Sequence, residues 1–289
     1  MIPFRKMNGL GNDFVVIDAR GGAVALPPER IVALADRRDG IGFDQLVVIE
    51  PSRRADAFMR IANADGSAAE ACGNATRCVA GLLLGESGAG RALIDSAGGL
   101  LEARRDGGWI AVDMGVPRFA AQEIPVAATV ADPLRLVFPE PDLAALGPAA
   151  CVGVGNPHAV FFVADAHAVP LADVGPRLER HALFPRRANI SFATVETPAR
   201  VRARVWERGV GATLACGTAA CAVAAAGHRL GHLGEDVEVV LPGGTLRIGL
   251  AGGRIVMAGP WSLDWTGRIT ATGFERDGTA AGGQRAVGS

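Results

Sequence analysis

Residues 214–224 read LACGTAACAVA, and this stretch has an earlier twin in residues 70–80, which read EACGNATRCVA. In both copies a cysteine and a glycine precede an Ala- and Val-rich segment that predicts an α-helix. Cys72 and Cys216 should therefore each lie at a helix N-terminus, beside backbone N–H groups that lack an intrahelical acceptor. Cys216 follows Cys72 by 144 residues, half the length of a 289-residue chain. This spacing indicates a duplicated unit whose two halves face each other and contribute one thiol each.

The position of the two thiols favours a chemical role. A helix N-terminus carries roughly half a positive charge, and a cysteine there can have its pKa lowered from about 8.5 to between roughly 3.5 and 7.5. Either thiol can then be a thiolate near neutral pH, and two opposed thiols would provide an acid and a base. The simpler alternative is a small buried hydrophobe. Recurrence at one repeat position favours catalysis for Cys72 and Cys216, whereas Cys78, Cys151 and Cys221 have no such counterpart and are assigned to the core.

The composition is that of a globular protein, most simply of two domains, with 49% hydrophobic and 20% charged residues. A net charge of −1 gives no reason to expect a nucleic acid or an anionic membrane as a partner. No run approaches the roughly 20 apolar residues of a membrane span, and the N-terminus has no signal-peptide core. Five cysteines without a C-x-x-C pair predict neither a disulfide framework nor a cysteine zinc site, which fits the cytoplasm.

Two kinds of cofactor chemistry are disfavoured by the residues present. Lys6 is the only lysine, and it lies in a predicted strand without a phosphate-binding loop, so a pyridoxal phosphate enzyme is not expected. His228 and His232 are four residues apart, but no acidic ligand accompanies them and glycines mark the end of the helix. No metal site is therefore expected there.

Many short strands and one long helix per half predict an α+β fold rather than a βαβ wrap. Residues 4–7 and 14–18 are predicted strands around a turn that presents Asn12 on a loop. His158 and Glu207 are likewise predicted in loops, where they could set the protonation states of nearby thiols. Residues 117–148 are interpreted as a connection with an outer strand or two, and residues 269–274 as the last strand.

A set of motifs between residues 7 and about 274 resembles the motifs of the diaminopimelate epimerases. The motifs, in chain order, are GLGNDF at 9–14, GFDQ at 42–45, NADG at 63–66, ACGN at 71–74, GNPH at 155–158, ERG at 207–209 and ACGT at 215–218. The resemblance implies an epimerase that interconverts LL- and meso-diaminopimelate for lysine and peptidoglycan precursor synthesis. It implies no cofactor and no metal, and a homodimer in the cytoplasm.

The resemblance also implies a domain organisation. Two pseudo-symmetric domains are expected, each a central helix held by mostly antiparallel strands. The N-terminal domain would comprise residues 1–116 with a returning strand at about 264–276, and the C-terminal domain residues 117–263. Residues 277–289 are expected to form a mobile tail.

The family pattern, carried over position by position, implies the site residues. Cys72 and Cys216 would be the acid/base pair, with His158 and Glu207 tuning them. The substrate α-carboxylate would lie between the two helix N-termini, held by Gly73, Asn74, Gly217 and Thr218. The other substrate-binding residues would be Asn12, Gln45, Asn63, Asn156, Asn189, Glu207 and Arg208.

The sequence departs from the family pattern at three positions. Alanine stands at positions 75 and 219, where the family usually has glycine, and Ala212 replaces a glutamate. Ala75 and Ala219 share one repeat position and favour the helix. Ala212 leaves one carboxylate missing near the expected site.

Two other functions fit part of the pattern. A proline racemase or hydroxyproline epimerase also uses two cysteines but recognises a ring with a single carboxylate. The asparagine-rich set and Arg208, expected as a buried guanidinium, favour a substrate with a second charged end. A thiol-regulated binding protein would not need Cys72 and Cys216 to hold a common ligand, and α-proton exchange on amino acids would distinguish it from an enzyme.

Overall fold

The structure, a computed structural model, describes residues 1–69, 72–127 and 129–277. The strands are β1 (Ile2–Gly9), β2 (Asn12–Asp18), β3 (Gln45–Glu50), β4 (Ala57–Asn63), β5 (Ala68–Ala69), β6 (Arg91–Ser96), β7 (Gly99–Asp106), β8 (Trp109–Gly115), β9 (Ala149–Gly153), β10 (Pro157–Phe162), β11 (Asn189–Thr197), β12 (Arg200–Glu207), β13 (Gly211–Thr213), β14 (Asp236–Leu241), β15 (Gly244–Gly249), β16 (Ile255–Gly259), β17 (Ser262–Ile269) and β18 (Phe274–Arg276). The helices are α1 (Pro28–Ala35), α2 (Gly73–Ser87), α3 (Pro141–Ala144), α4 (Leu171–Glu179) and α5 (Gly217–Arg229). The prediction of an α+β fold is confirmed. The expected mobile tail lies almost wholly in 278–289, outside the described residues.

Contacts divide the described part of the chain into two compact units, one formed by residues 1–112 with 258–277 and the other by residues 113–257. In the first unit β1 pairs antiparallel with β2 and β17, and β3 runs parallel to β2. Strand β4 is antiparallel to β3 and parallel to β6, which continues antiparallel into β7. Helix α2 packs against β1, β2, β6 and β7.

The second unit repeats this pairing strand by strand. Strand β10 is antiparallel to β9 and parallel to β11, which is antiparallel to β12. Strand β12 is parallel to β14, which is antiparallel to β15. Even the register recurs, because the parallel pair Phe14–Gln45 corresponds to His158–Asn189, each shifted by 144 residues. The duplication predicted from the cysteine motifs therefore extends over the strands of both units.

Small residues allow α2 and α5 to be enclosed by strands. The residues from Ala219 to Gly227 in α5 are all buried, so that helix is apolar on every side. A Cβ at Gly81 in α2 would lie 2.4 Å from the Trp261 ring, and one at Gly227 in α5 would lie 2.4 Å from Leu233. Close packing thus requires glycine at these two positions, although glycine is a poor helix former.

Each unit has an apolar core beside its long helix. In the second unit the rings of Phe161 and Phe192 stack with centroids 5.0 Å apart, and Phe138 lies against Phe161. In the first unit Val15 and Ile17 pack with residues of β3 and α1. These cores fix the strands from whose ends the polar site residues project.

Several predictions of local structure are wrong. Asn12 is the first residue of β2, paired with Gly9, because the turn is confined to Leu10 and Gly11. The described part of 117–148 holds no regular strand; it contains α3, a 3-10 turn at Pro133–Arg135 and isolated bridges. A last strand is predicted at 269–274, but β17 ends at Ile269, residues 270–273 form a turn, and β18 begins at Phe274. Residues 117–148 contain six prolines, which lack the N–H group that a strand ladder needs. The Thr270 N–H donates to the Gly273 carbonyl and closes the turn before β18.

His158 and Glu207 do not lie in loops. His158 is in the interior of β10, at the repeat position of Phe14, and Glu207 ends β12. Neighbouring glycine and proline suggested loops, but the strand ladders extend to these residues. None of the helices in the described part of the chain is long and apolar enough to cross a lipid bilayer.

Candidate active site

Cys72 is the N-cap of α2, as predicted. Its backbone is extended (φ −148°, ψ 109°) and its Sγ accepts a hydrogen bond from the Ala75 N–H at 3.5 Å. The Thr76 hydroxyl and N–H both bind the Cys72 carbonyl, each at 2.9 Å. The thiol therefore lies over the first turn of the helix, where the partial positive charge favours an anion. The N–H groups of Gly73 and Asn74 belong to this same first turn. They have no acceptor within the helix, so they can donate to an external acceptor.

Polar side chains from the strands surround this helix start. The Cys72 thiol lies 3.9 Å from Asn12 Oδ1, and Asn12 Nδ2 donates to Asp44 at 2.8 Å. Gln45 and Asn63 face each other across β3 and β4, with Gln45 Nε2 donating to Asn63 Oδ1 at 3.0 Å. The structure therefore groups Asn12 with Cys72 and Gln45 with Asn63.

Two acceptors of the predicted site are buried and unused. Gln45 Oε1 and Asn74 Oδ1 have no hydrogen-bond partner among the described residues. Buried polar atoms in folded proteins are almost always hydrogen-bonded, and an unbonded acceptor costs about 1–3 kcal/mol. These two oxygens are therefore suited to receive donors from a bound molecule.

Cys216 is the N-cap of α5 and only 7% exposed. Its sulfur lies 3.4 Å from Thr218 Oγ1. Burial and then the Glu207 carboxylate raise the pKa of the Cys216 thiol well above its ordinary value, despite hydrogen bonds from Thr218 and the Ala219 N–H. This direction is opposite to that of a thiol whose pKa is lowered at a helix N-terminus, and its first cause is desolvation. The raised pKa favours the protonated form of Cys216.

Glu207 is held next to this thiol by a neighbouring hydroxyl. Thr213 Oγ1 donates to Glu207 Oε1 at 2.5 Å, across the β12–β13 pair. The carboxylate also hydrogen-bonds the Cys216 side chain, which favours the protonated sulfur. Glu207 thus adds to the rise in the pKa of Cys216 that burial causes.

A change at Glu207 should show in the titration of Cys216. In Glu207→Gln the negative charge beside the thiol is removed, so the pKa of Cys216 should fall and alkylation of this thiol should begin at lower pH. The measurement is the rate of iodoacetamide modification of Cys216 against pH, by peptide mass spectrometry. Glu196→Gln is the matched control, since Glu196 is ion-paired with Arg200 and Arg202 on the same β11–β12 pair. An unchanged profile in Glu207→Gln would show that its charge does not act on Cys216.

His158 is connected to the same thiol through the side chains of Asn156 and Thr218. Its Nε2 is 2.7 Å from Asn156 Oδ1, and Asn156 Nδ2 donates to Thr218 Oγ1 at 3.3 Å. Burial, with the nearby Arg208 charge, lowers the pKa of His158 to about 3, so the ring is neutral. His158 therefore orients Asn156 by a hydrogen bond and supplies no positive charge.

The Asn189 side chain is hydrogen-bonded to the backbone of Arg208, the residue that follows β12. Asn189 is buried, its Nδ2 donates to the Pro157 carbonyl at 3.0 Å, and its Oδ1 accepts the Arg208 N–H at 2.9 Å. Arg208 Nη1 donates to the Arg186 carbonyl at 3.2 Å. The Arg208 side chain is exposed, so the expectation of a buried guanidinium is wrong. A guanidinium carries five N–H donors, and an exposed guanidinium is accessible to the carboxylate of a ligand.

Asp44 and Thr213 were missed by sequence reasoning. Asp44 stands within the GFDQ motif and Thr213 lies in the short strand β13, but neither residue carries a signal of its own in the sequence. Each binds a predicted site residue, Asn12 and Glu207 respectively. Among the described residues no group of three His, Cys, Asp or Glu side chains is placed to hold a metal ion.

Comparison with known proteins gives a consistent family match. The family model described as diaminopimelate epimerase matches residues 4–120 and 150–263. A diaminopimelate epimerase of Rhizorhabdus wittichii is 50% identical over 281 residues, which cover 96% of this chain and 98% of that protein. One from Acidiphilium cryptum is 48% identical, covering 93% of this chain and 96% of that protein.

Solved structures share the fold at low sequence identity. A predicted epimerase from Pseudomonas aeruginosa has a TM-score of 0.67 at 19% identity, covering 94% of this chain and all of the other. A hydroxyproline epimerase from Agrobacterium vitis, with trans-4-hydroxy-L-proline bound, has a TM-score of 0.63 at 17% identity, covering 92% of this chain and 91% of the other. These similarities concern the fold alone.

Proposed function

The chain belongs to the diaminopimelate epimerase family, and from this premise we propose that it interconverts LL- and meso-diaminopimelate with Cys72 and Cys216 as its acid and base. The observation that carries the proposal is the recurrence of a cysteine as the N-cap of the enclosed helix in both units. Inversion at a carbon needs a base on one face and an acid on the other. Two thiols in equivalent positions meet that requirement without a cofactor.

The protonation state of Cys216 suggests the order of events. Cys216 begins as a thiol, because burial and Glu207 raise its pKa. Cys72 would then begin as the thiolate and remove the α-proton, forming an S–H bond while the C–H electron pair stays on the carbon. Cys216 delivers its proton to that carbon and becomes the thiolate. The reverse reaction starts from this state, in which Cys72 is the thiol and Cys216 is the thiolate. The proton that Cys72 takes comes from the substrate, and the proton that Cys216 gives leaves with the product.

The helix N-termini would stabilise the intermediate. Removal of the α-proton places negative charge on the α-carbon and its carboxylate, and preorganised N–H donors lower the energy of such charge. We assign this role to Gly73 and Asn74 in α2 and to Gly217 and Thr218 in α5. Gln45 and Asn74 offer buried, unused acceptors for substrate N–H groups. Asn12, Asn63, Asn156, Asn189 and Arg208 complete the proposed set.

We also propose a homodimer in the cytoplasm. The thiol mechanism needs reduced cysteines, which a reducing compartment maintains. Nucleic acid is not a proposed partner, since the net charge is −1. Light scattering of the purified protein tests the dimer, and fractionation of the source cells tests the location.

The decisive experiment is α-proton exchange in deuterated water. LL- and meso-diaminopimelate should each incorporate deuterium and interconvert, whereas proline, hydroxyproline and lysine should exchange little. Exchange on proline together with inertness toward diaminopimelate would overturn the proposal. That result would favour the alternative, a proline racemase or hydroxyproline epimerase. Absence of exchange on every amino acid, from folded protein, would favour a binding protein instead.

A further inference from the structure

Asp44 lies next to Asn12, and the proposed mechanism does not use it. Its Oδ2 accepts hydrogen bonds from Asn12 Nδ2 and from the Asp13 N–H, both at 2.8 Å. Its Oδ1 receives Arg37 Nη2 at 2.7 Å, and Arg37 Nη1 binds Asp13 at 2.8 Å. Lys6, 7% exposed, also lies 3.3 Å from the Asp13 carboxylate. Both oxygens of Asp44 are thus occupied by donors.

This arrangement fixes which end of the Asn12 amide faces the thiol. An ionised carboxylate has acceptors only, so Asn12 must turn its NH₂ group toward Asp44. The amide oxygen is then directed to the other side, where it lies 3.9 Å from Cys72 Sγ. We propose that Asp44 is a positioning residue that makes Asn12 a hydrogen-bond acceptor on the Cys72 side of the site. The inference rests on the proposed function only in treating Asn12 as a substrate contact.

An acceptor at this place fits an α-amino substrate. An ammonium group carries three donors and no acceptor, so it pairs with the Asn12 carbonyl and not with an amide NH₂. The same carbonyl oxygen gives no hydrogen bond to the Cys72 thiolate and can accept one from the thiol, which makes this sulfur a stronger base for the α-proton. With the amide reversed, a donor would face the substrate ammonium and the thiolate of Cys72 would gain a hydrogen bond.

The second unit orients the corresponding amide in the opposite sense. Asn156 is the repeat counterpart of Asn12, but position 188, the counterpart of Asp44, is alanine. There the amide oxygen is bound by His158 Nε2, and the NH₂ group donates to Thr218, beside Cys216. The two halves therefore present different ends of an equivalent asparagine to their cysteines. Asp44 in one half and His158 in the other account for the difference.

The test is the isosteric variant Asp44→Asn. One oxygen becomes an NH₂ group, which must then face either Arg37 or the donors of Asn12 and Asp13, so the Asn12 amide is no longer fixed. We expect kcat/KM for diaminopimelate to fall about 10- to 100-fold. We also expect iodoacetamide to modify Cys72 faster at a fixed neutral pH, because a reversed Asn12 stabilises the thiolate.

A second change should restore the orientation. In Asp44→Asn with Arg37→Gln, the glutamine oxygen can accept the new NH₂ group, so the carboxamide oxygen can again face Asn12. Most of the lost kcat/KM should return, and the alkylation rate of Cys72 should return toward wild type. This rescue is not expected if Asp44 only stabilises the fold. Both quantities can be measured in the double variant even if Asp44→Asn alone folds poorly.

The matched control is Asp18→Asn. Asp18 is also paired with an arginine, Arg20, at 2.6 Å, but it lies at the other end of β2, roughly 20 Å along the strand. It should leave both kcat/KM and Cys72 alkylation unchanged. An Asp44→Asn protein with wild-type alkylation of Cys72, or a double variant without rescue, overturns the inference. Wild-type inertness toward diaminopimelate would instead remove the proposed function, while the alkylation comparison would still test Asp44.

Discussion

Alanine in place of either Cys72 or Cys216 should abolish epimerisation. General acid–base groups typically contribute about 10²- to 10⁴-fold, and inversion needs both the acid and the base. Each single variant should therefore lose at least that factor in kcat, and the double variant should lose little more because the two thiols act as a unit. The measurement is interconversion of LL- and meso-diaminopimelate by chiral chromatography.

Two further variants separate chemistry from structure. Cys72→Ser keeps an N-cap side chain that can accept the Ala75 N–H, so the helix start is preserved while the reactive sulfur is lost. Cys151→Ala is the matched control, because Cys151 is buried in β9 and burial raises its pKa to about 12. It should stay active. If Cys72→Ala or Cys216→Ala retained near wild-type turnover, the two-thiol mechanism would be wrong.

The second large effect is expected from Arg208→Ala. Arg208 is the proposed partner of the distal carboxylate of diaminopimelate, which a guanidinium binds through paired N–H groups. A lost charge-assisted contact is worth about 1.5–3 kcal/mol, or roughly 10- to 150-fold. Because binding at the distal end fixes the reacting carbon, kcat should fall as well as binding.

A control variant and a truncated substrate define the role of Arg208. Arg202→Ala removes an exposed arginine of β12, the strand that ends immediately before Arg208; Arg202 is ion-paired with Glu196, and its loss should have little effect. Any residual exchange on lysine, which lacks the distal carboxylate, should be hardly changed by Arg208→Ala. An equal loss on both substrates, or unchanged kinetics with diaminopimelate, would exclude the distal contact.

The sequence alone determined the elements that carry chemistry. Two Ala-Cys-Gly motifs 144 residues apart predicted two helices with cysteine N-caps, and both are present. Local signals suffice here, because a helix start depends on neighbouring residues and on the small side chains that follow. The α+β fold followed from strand and helix patterns for the same reason.

The tertiary structure decided how each site residue behaves. The pKa of Cys216 is raised because the thiol is buried and lies beside Glu207. His158 is neutral in the interior of β10, and Arg208 is exposed. The Asn12 amide is oriented by Asp44, 32 residues later in the chain. Burial and contacts between distant residues set protonation and hydrogen-bond direction, and a linear pattern does not contain them.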